Sequence, residues 1–115
     1  MAEDCLFCKI IKGEIPSKKV YEDERIFAFE DINPQAPVHI VIIPKKHIEA
    51  LNRLSEGDEL ILGRIQAAAS EIASRFPQLE KGYRVVNNCG ADAGQTVFHI
   101  HYHLLGGRNF GWPPG

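Results

Sequence analysis

The chain has 115 residues, with 13 basic and 15 acidic side chains and a formal charge of −2 at pH 7. This length predicts one domain, residues 1–115, large enough to bury a core without disulfides. The balanced charge gives no indication of the basic surface that nucleic acid or an anionic membrane would need, so we expect neither as a partner. The start MAEDCLFCKI has acids where a signal peptide has positive charge, and no apolar run is long enough to span a membrane. We therefore expect a cytoplasmic protein.

The predicted elements, in chain order, begin with a short helix in FCKIIKGEIP, stopped by glycine and proline. Strands are predicted at residues 20–21 and 26–29, which form a hairpin, and in VHIVIIP after the proline-rich loop DINPQAP. SEGDELILGRIQAAASEIASRF predicts a long helix with Ser55 at its N-cap. YRVVNN and VFHIHYHLLGG predict the last two strands. Because strands and helices do not alternate as βαβ units, the order favours an α+β domain with a five-stranded antiparallel sheet, one short helix and one long helix.

The stretch HIHYHLL places His99, His101 and His103 at alternate positions. Alternate side chains of a strand share one face, so the imidazoles would line one surface about 6.5 Å apart. The β-branched and aromatic residues between them favour a strand over a helix. A solvated polar face is the alternative. A row about 13 Å long cannot place three nitrogens about 2 Å from one ion, which argues against a three-histidine metallohydrolase.

The motif CLFC is weak alone, because redox centres, zinc sites and buried thiols all contain it. The chain has three cysteines, Cys5, Cys8 and Cys89, and an odd number argues against a disulfide framework. A tetrahedral zinc site needs two more ligands, for which His47 and His99 are candidates. Such a Cys2His2 site would be closed and therefore structural, and it would attach the N-terminus to the sheet.

His101 is the candidate nucleophile, because a neutral imidazole keeps a lone pair near pH 7. Attack on phosphorus also needs hydrogen-bond donors for the phosphate oxygens. The loop NNCGADAGQT offers backbone N–H groups near its glycines and the side chains of Asn88, Gln95 and Thr96. A plain polar turn is the alternative for this loop. His39, in VHIVIIP, would either join the pocket or be a buried core histidine.

Several separated motifs are similar to those of one family, the histidine triad (HIT) superfamily. HIHYHLL resembles its His-x-His-x-His-x-x signature, and DINPQAPVHIVIIPKKH, GYRVVNN, AGQTVFHIHYHLLGGR and WPPG resemble its Hint branch. The resemblance extends from Cys5 to Gly115. It implies a HIT-like fold in a homodimer, in which the two five-stranded sheets join into one continuous ten-stranded sheet. The tail, residues 106–115, would lie at the active site or the dimer interface.

The resemblance also implies hydrolysis of the P–N bond in purine nucleoside 5′-phosphoramidates, derivatives of AMP or GMP, without an organic cofactor. His101 would attack the α-phosphorus, and water would release the nucleotide from the histidine. The implied catalytic residues are His101, His103, His39 and Thr96. The implied nucleotide contacts are Asp31, Ile32, Asn88, Gln95, Thr96, Val97, His101 and His103. Thr96 departs from the serine common in this branch, but it retains the hydroxyl.

The same resemblance implies one structural Zn²⁺ per subunit, held by Cys5, Cys8, His47 and His99. A separate hypothesis concerns the tail, where Trp112 would contribute to substrate selection across the dimer interface. Two other functions stay open. Another branch of the superfamily hydrolyses dinucleoside polyphosphates, and a nucleotide-responsive binding or scaffold protein would use the same pocket with incidental catalysis.

Overall fold

A five-stranded antiparallel sheet organises residues 4–115, the part of the chain that this computed structural model describes. Its strands are β1 (Lys19–Glu22), β2 (Ile26–Glu30), β3 (Val38–Pro44), β4 (Tyr83–Asn87) and β5 (Tyr102–Gly106), in the order β1-β2-β3-β5-β4. The helices are α1 (Leu6–Ile11) and α2 (Asp58–Ala73). The predicted α+β sheet with one short and one long helix is confirmed. The residues MAE, part of the start on which the prediction of no signal peptide depends, lie outside the described residues.

The two faces of the sheet are covered by different helices. Strand β3 is buried along its whole length, so its side chains meet α2 and α1 alternately. The α2 face contains Ile40, Ile42, Ile65, Ile72 and Leu104. The α1 face contains Phe7, Ile10, Phe29, Val41 and Ile43. His39 has the parity of Val41 and Ile43, which places it on the α1 face.

The last strand is shorter than its pattern predicts. VFHIHYHLLGG predicts a strand from residue 97, but β5 begins at Tyr102. Before it, the backbone of this segment bonds outside the ladder: the Ile100 N–H donates to the Ile48 carbonyl at 2.6 Å, and the His101 carbonyl accepts from Asn87 Nδ2 at 2.9 Å. The strand prediction for this segment is wrong because its hydrogen bonds go to a loop and a side chain.

The start of α2 also differs from its prediction. The N-cap is Gly57 and not Ser55, and its φ of 88° is a conformation that favours glycine. Ser55 instead donates its N–H and its hydroxyl to Asp58 Oδ2, at 2.9 and 3.0 Å. Lys46 Nζ donates to Asp58 Oδ1 at 2.6 Å, so this buried carboxylate ties α2 to the segment after β3. Within residues 4–115, no helix combines the length and the hydropathy needed to cross a bilayer.

Candidate active site and metal cluster

Cys5, Cys8, His47 and His99, here called the cysteine–histidine cluster, converge at the N-terminus of α1. Cys5 is the N-cap of the helix, and its Sγ accepts the Cys8 N–H at 3.3 Å. Residues three apart on a helix lie on one side, so both sulfur atoms lie on the side of α1 that faces the C-terminal end of β3. None of the cysteines in the described residues forms a disulfide.

The spacing of the four ligand atoms fits one zinc ion. Tetrahedral zinc places two nitrogen ligands about 3.3 Å apart, and a nitrogen and a sulfur about 3.6 Å apart. Here the Nδ1 atoms of His47 and His99 are 3.2 Å apart. His99 Nδ1 lies 3.3 Å from Cys5 Sγ and 3.5 Å from Cys8 Sγ. All four ligand atoms lie within 4.8 Å of one another, so the predicted residues form a cluster able to bind a metal.

Protonation in this cluster also suits a metal. His99 is fully buried, and burial lowers its pKa to about 4, so the ring is neutral at pH 7. Its Nε2–H donates to the Pro44 carbonyl, which leaves the Nδ1 lone pair directed at the cluster. Burial, together with the hydrogen bond to Cys5, raises the pKa of Cys8 to about 11. A bound cation would replace that thiol proton, because metals bind the thiolate.

A cavity of about 560 Å³ opens on the same face of the sheet, beside α1. Its predicted lining residues are Asp31, Ile32, His39, Asn88, Thr96, Val97, His101 and His103. An apolar wall of Phe7, Ile10, Phe29 and Val41 was not predicted as part of the site. The helical spacing of Phe7 and Ile10 is the sequence signal for that wall, since it indicates the buried face of α1.

His101 is buried against Phe7, whose ring meets it edge-on at 5.0 Å. Burial lowers the pKa of His101, so the ring is neutral at pH 7. Its Nδ1–H donates to the His99 carbonyl at 2.8 Å. This bond fixes the tautomer and leaves Nε2 as the free nitrogen, with its lone pair available. The carbonyl is a partner that the sequence pattern does not identify.

His39, His103 and Asp31 form a second group in the cavity. His39 Nε2 lies 2.9 Å from His103 Nδ1 and 3.4 Å from Asp31 Oδ2. Burial lowers the pKa of both histidines, that of His103 to about 4. Asp31 Oδ1 accepts the N–H of Asn33 at 2.8 Å, which orients the carboxylate. We call His39, His101 and His103 the cavity histidines.

Gln95 is the predicted site residue that does not line the cavity. Its Oε1 accepts the Gly90 N–H at 2.8 Å, and its Nε2 donates to the carbonyls of Glu49 and Val97 at 2.9 and 3.1 Å. These bonds use the side-chain amide to shape the loop that precedes β5. The loop in turn brings Asn88 and Thr96 to the cavity.

The cavity lining contains no lysine or arginine among the described residues, and its acids are Glu30 and Asp31. A phosphate group there would meet neutral donors: side-chain amides, hydroxyls, backbone N–H groups and imidazole N–H groups. Neutral donors balance one negative charge better than several, because each extra charge would lack a counterion when removed from water.

Two arginines pack on the tail's Phe110: Arg84 of β4, which joins the tail to the sheet, and Arg108 of the tail itself. The guanidinium groups of Arg84 and Arg108 lie 4.9 and 4.3 Å from the ring centroid of Phe110. Trp112 is 84% exposed and does not line this chain's cavity. Its predicted contribution across a dimer interface stays a prediction.

Comparisons with known proteins agree with this geometry. The family model of the HIT domain matches residues 12–110. A protein of Escherichia coli K12 named purine nucleoside phosphoramidase is 50% identical over 111 residues, which cover 96% of this chain and 93% of the relative. A maize protein named 14 kDa zinc-binding protein is 54% identical over 113 residues, 96% of this chain and 87% of the relative.

A solved structure shows the same fold. The HIT family hydrolase of Legionella pneumophila Philadelphia 1 superposes with a TM-score of 0.93 at 52% sequence identity, covering 96% of this chain and 99% of that one. Family model, relatives and structure agree over nearly the whole chain. The protein therefore belongs to the HIT domain family.

Proposed function

We propose that this chain hydrolyses the P–N bond of purine nucleoside 5′-phosphoramidates through a nucleotidyl-histidine intermediate. The observation that carries the proposal is His101, a neutral imidazole in the cavity with Nδ1–H bound to the His99 carbonyl and Nε2 free. Support also comes from the Escherichia coli relative named purine nucleoside phosphoramidase and from the Legionella pneumophila hydrolase.

The reaction has two steps. His101 Nε2 attacks the α-phosphorus, a nitrogen–phosphorus bond forms, and the P–N bond of the substrate breaks with its electron pair on the departing amine. A water molecule then attacks the phosphorus and breaks the bond to His101. In the first step the departing amine takes a proton from solvent as its bond to phosphorus breaks. In the second step the hydroxyl of the attacking water stays on the phosphorus and its proton returns to solvent, so the two steps together consume one water molecule.

The remaining cavity residues have roles that their chemistry supports. The Asp31 carboxylate accepts hydrogen bonds from the ribose hydroxyls, and Ile32 packs against the base. Asn88, Thr96 and His103 donate to the phosphate oxygens, where charge develops in the transition state. Gln95 contributes by holding the loop that presents Asn88 and Thr96.

The cavity favours a phosphoramidate over a dinucleoside polyphosphate. A nucleoside phosphoramidate carries about one negative charge on its phosphate, whereas a polyphosphate chain carries several that need cationic partners. The lining has two acids and no lysine or arginine in the described residues. Selection by charge therefore supports the P–N substrate.

Zinc is the proposed metal of the cysteine–histidine cluster, one ion per chain. The ligand spacing supports this, as does the maize relative named zinc-binding protein. With four protein ligands the site has no open position, so the ion attaches α1 to the sheet and takes no part in the reaction. Elemental analysis of protein purified without added metal, beside the Cys8→Ser variant, tests the assignment.

Assembly as a homodimer with a continuous ten-stranded sheet is also proposed. Strand β4 is at the edge of the sheet in the order found here, where a second copy has backbone groups to pair with. Sedimentation equilibrium measures the mass and decides between one chain and two. The cytoplasmic location stays a prediction.

The functional test is turnover of adenosine 5′-phosphoramidate by the purified protein and by His101→Ala. We expect turnover in the first, none above background in the second, and zinc and AMP binding in both. Diadenosine polyphosphate is assayed beside it. Faster turnover of the polyphosphate would contradict the charge selection, and AMP binding without turnover of either substrate would indicate a binding protein.

A further inference from the structure

The peptide group of Gln35, in the loop between β2 and β3, is hydrogen-bonded on both sides. Its N–H donates to His39 Nδ1 at 3.0 Å. Its carbonyl accepts from Arg108 Nε, also at 3.0 Å. One peptide therefore connects the tail after β5 to a cavity histidine.

The N–H bond determines where the protons of two imidazoles lie. A nitrogen that accepts a hydrogen bond carries no proton, so neutral His39 must carry its proton on Nε2. That Nε2–H lies 2.9 Å from His103 Nδ1 and donates to it. His103 Nδ1 is then the acceptor, and neutral His103 carries its proton on Nε2. Burial, which lowers the pKa of both rings, keeps them neutral.

We propose that the Gln35 peptide is a positioning group that fixes the tautomers of His39 and His103, so that His103 presents Nε2–H as a donor to the substrate phosphate. The role of that donor rests on the function proposed above, whereas the tautomers do not depend on it. Gln35 acts through His39 and touches no reacting atom.

The same hydrogen bonds argue against a metal ion bound by Asp31, His39 and His103, although the ligand atoms of these residues lie within 4.8 Å of one another. A metal on His39 Nε2 would need the lone pair there, which moves the proton to Nδ1. That proton would then face the Gln35 N–H, two donors against each other at 3.0 Å. The group therefore resembles a metal site in composition and spacing. The Gln35 N–H, however, makes it a series of hydrogen bonds in which each imidazole donates from Nε2.

The tail provides the support on the other side of the peptide. Gly107 has a φ of 91°, and a Cβ there would lie 2.8 Å from Pro37 Cβ, so only glycine lets the chain pass this closely to the loop. Arg108 follows, with its Nε on the Gln35 carbonyl and its guanidinium over Phe110. The tail thus holds the peptide that orients His39.

The first test needs no catalysis. Long-range ¹H–¹⁵N correlation spectra of the wild-type protein at pH 7 distinguish the protonated nitrogen of each imidazole. We expect Nε2–H tautomers for His39 and His103, and a spectrum with Nδ1–H at either ring overturns the proposal. If the tautomers are as expected but adenosine 5′-phosphoramidate is not turned over, the proposed function fails and the assignment of the tautomers stands.

The second test removes the N–H alone. Gln35→Pro deletes the donor, whereas Gln35→Ala keeps it and loses only the exposed side chain. We expect Gln35→Pro to show mixed His39 tautomers and about ten-fold lower kcat/KM, with one zinc per chain retained. Gln35→Ala should keep the wild-type tautomers and a higher kcat/KM than Gln35→Pro, because it keeps the N–H. Equal activity and unchanged tautomers in both variants would contradict the proposal, and the wild-type spectrum decides it if Gln35→Pro does not fold.

Discussion

His99 and His39 show how two similar buried histidines acquire different chemistry within one domain. Both are buried and neutral, and each has a neighbouring histidine nitrogen within 3.2 Å. The difference is the backbone partner at the other ring nitrogen. Pro44 offers His99 a carbonyl, so His99 turns a lone pair toward its cluster, whereas Gln35 offers His39 an N–H, so His39 turns a proton toward its own. The main-chain group that contacts each histidine therefore determines whether its other nitrogen is a metal ligand or a hydrogen-bond donor.

The largest effect is expected from breaking the cysteine–histidine cluster. Cys8→Ser should lose the zinc and lower the free energy of unfolding by about 4 kcal/mol or more, in buffer where free zinc exceeds its Kd about 1,000-fold. Cys89→Ser, outside the cluster, is the control and should keep both. Metal analysis with chemical denaturation measures the change. A Cys8→Ser protein that still holds one zinc per chain would refute the ligand assignment.

A substitution in the cavity should lower activity and leave the zinc content unchanged. His103→Ala removes the proposed phosphate donor and should lower kcat/KM about 100-fold, with zinc content unchanged. His99→Ala should lose the zinc. Turnover and metal content are measured on both variants. Loss of zinc from His103→Ala would mean that the two groups of histidines are not independent.

The sequence allowed the sheet, both helices and the membership of each cluster to be predicted, because these depend on local periodicity and spacing. His99, His101 and His103 all reach the predicted clusters, although His99 and His101 lie before β5 and not in a strand. The partners that assign chemistry to these rings were not predictable. Pro44 and Gln35 reach their histidines only when the chain is folded, and backbone groups leave no signal in residue identity. The site roles of the cavity residues stay predictions until they are assayed.

The protonation of His103 gives a smaller effect on stability. Its folded pKa of about 4 lies below the ordinary 6.5, so between these values the unfolded chain binds a proton that the folded chain does not. Stability therefore falls as pH drops from 6.5 to about 4, by at most about 1.4 kcal/mol per pH unit, and changes little well above 6.5. His103→Gln lacks this proton. The free energies of unfolding of His103→Gln and wild type are measured at pH 7, 6 and 5, and their difference should approach this slope as the pH falls. Parallel profiles would show that the folded and unfolded chains protonate His103 alike.

The smallest effect is expected at Arg108, which contacts His39 only indirectly, through the Gln35 peptide. Arg108→Ala removes one hydrogen bond to the Gln35 carbonyl and one stacked cation from Phe110, both at the surface. We expect kcat/KM to fall about two- to five-fold, which is under about 1 kcal/mol, because the Gln35 N–H remains in place and only its support loosens. Arg53→Ala is the control, since Arg53 is exposed and lies 3.8 Å from Glu49. Zinc content should not change in either variant, because no contact of Arg108 reaches the cysteine–histidine cluster. An Arg108→Ala enzyme as active as the Arg53→Ala control would show that the tail does not support the Gln35 peptide, and would confine the positioning effect to the N–H itself.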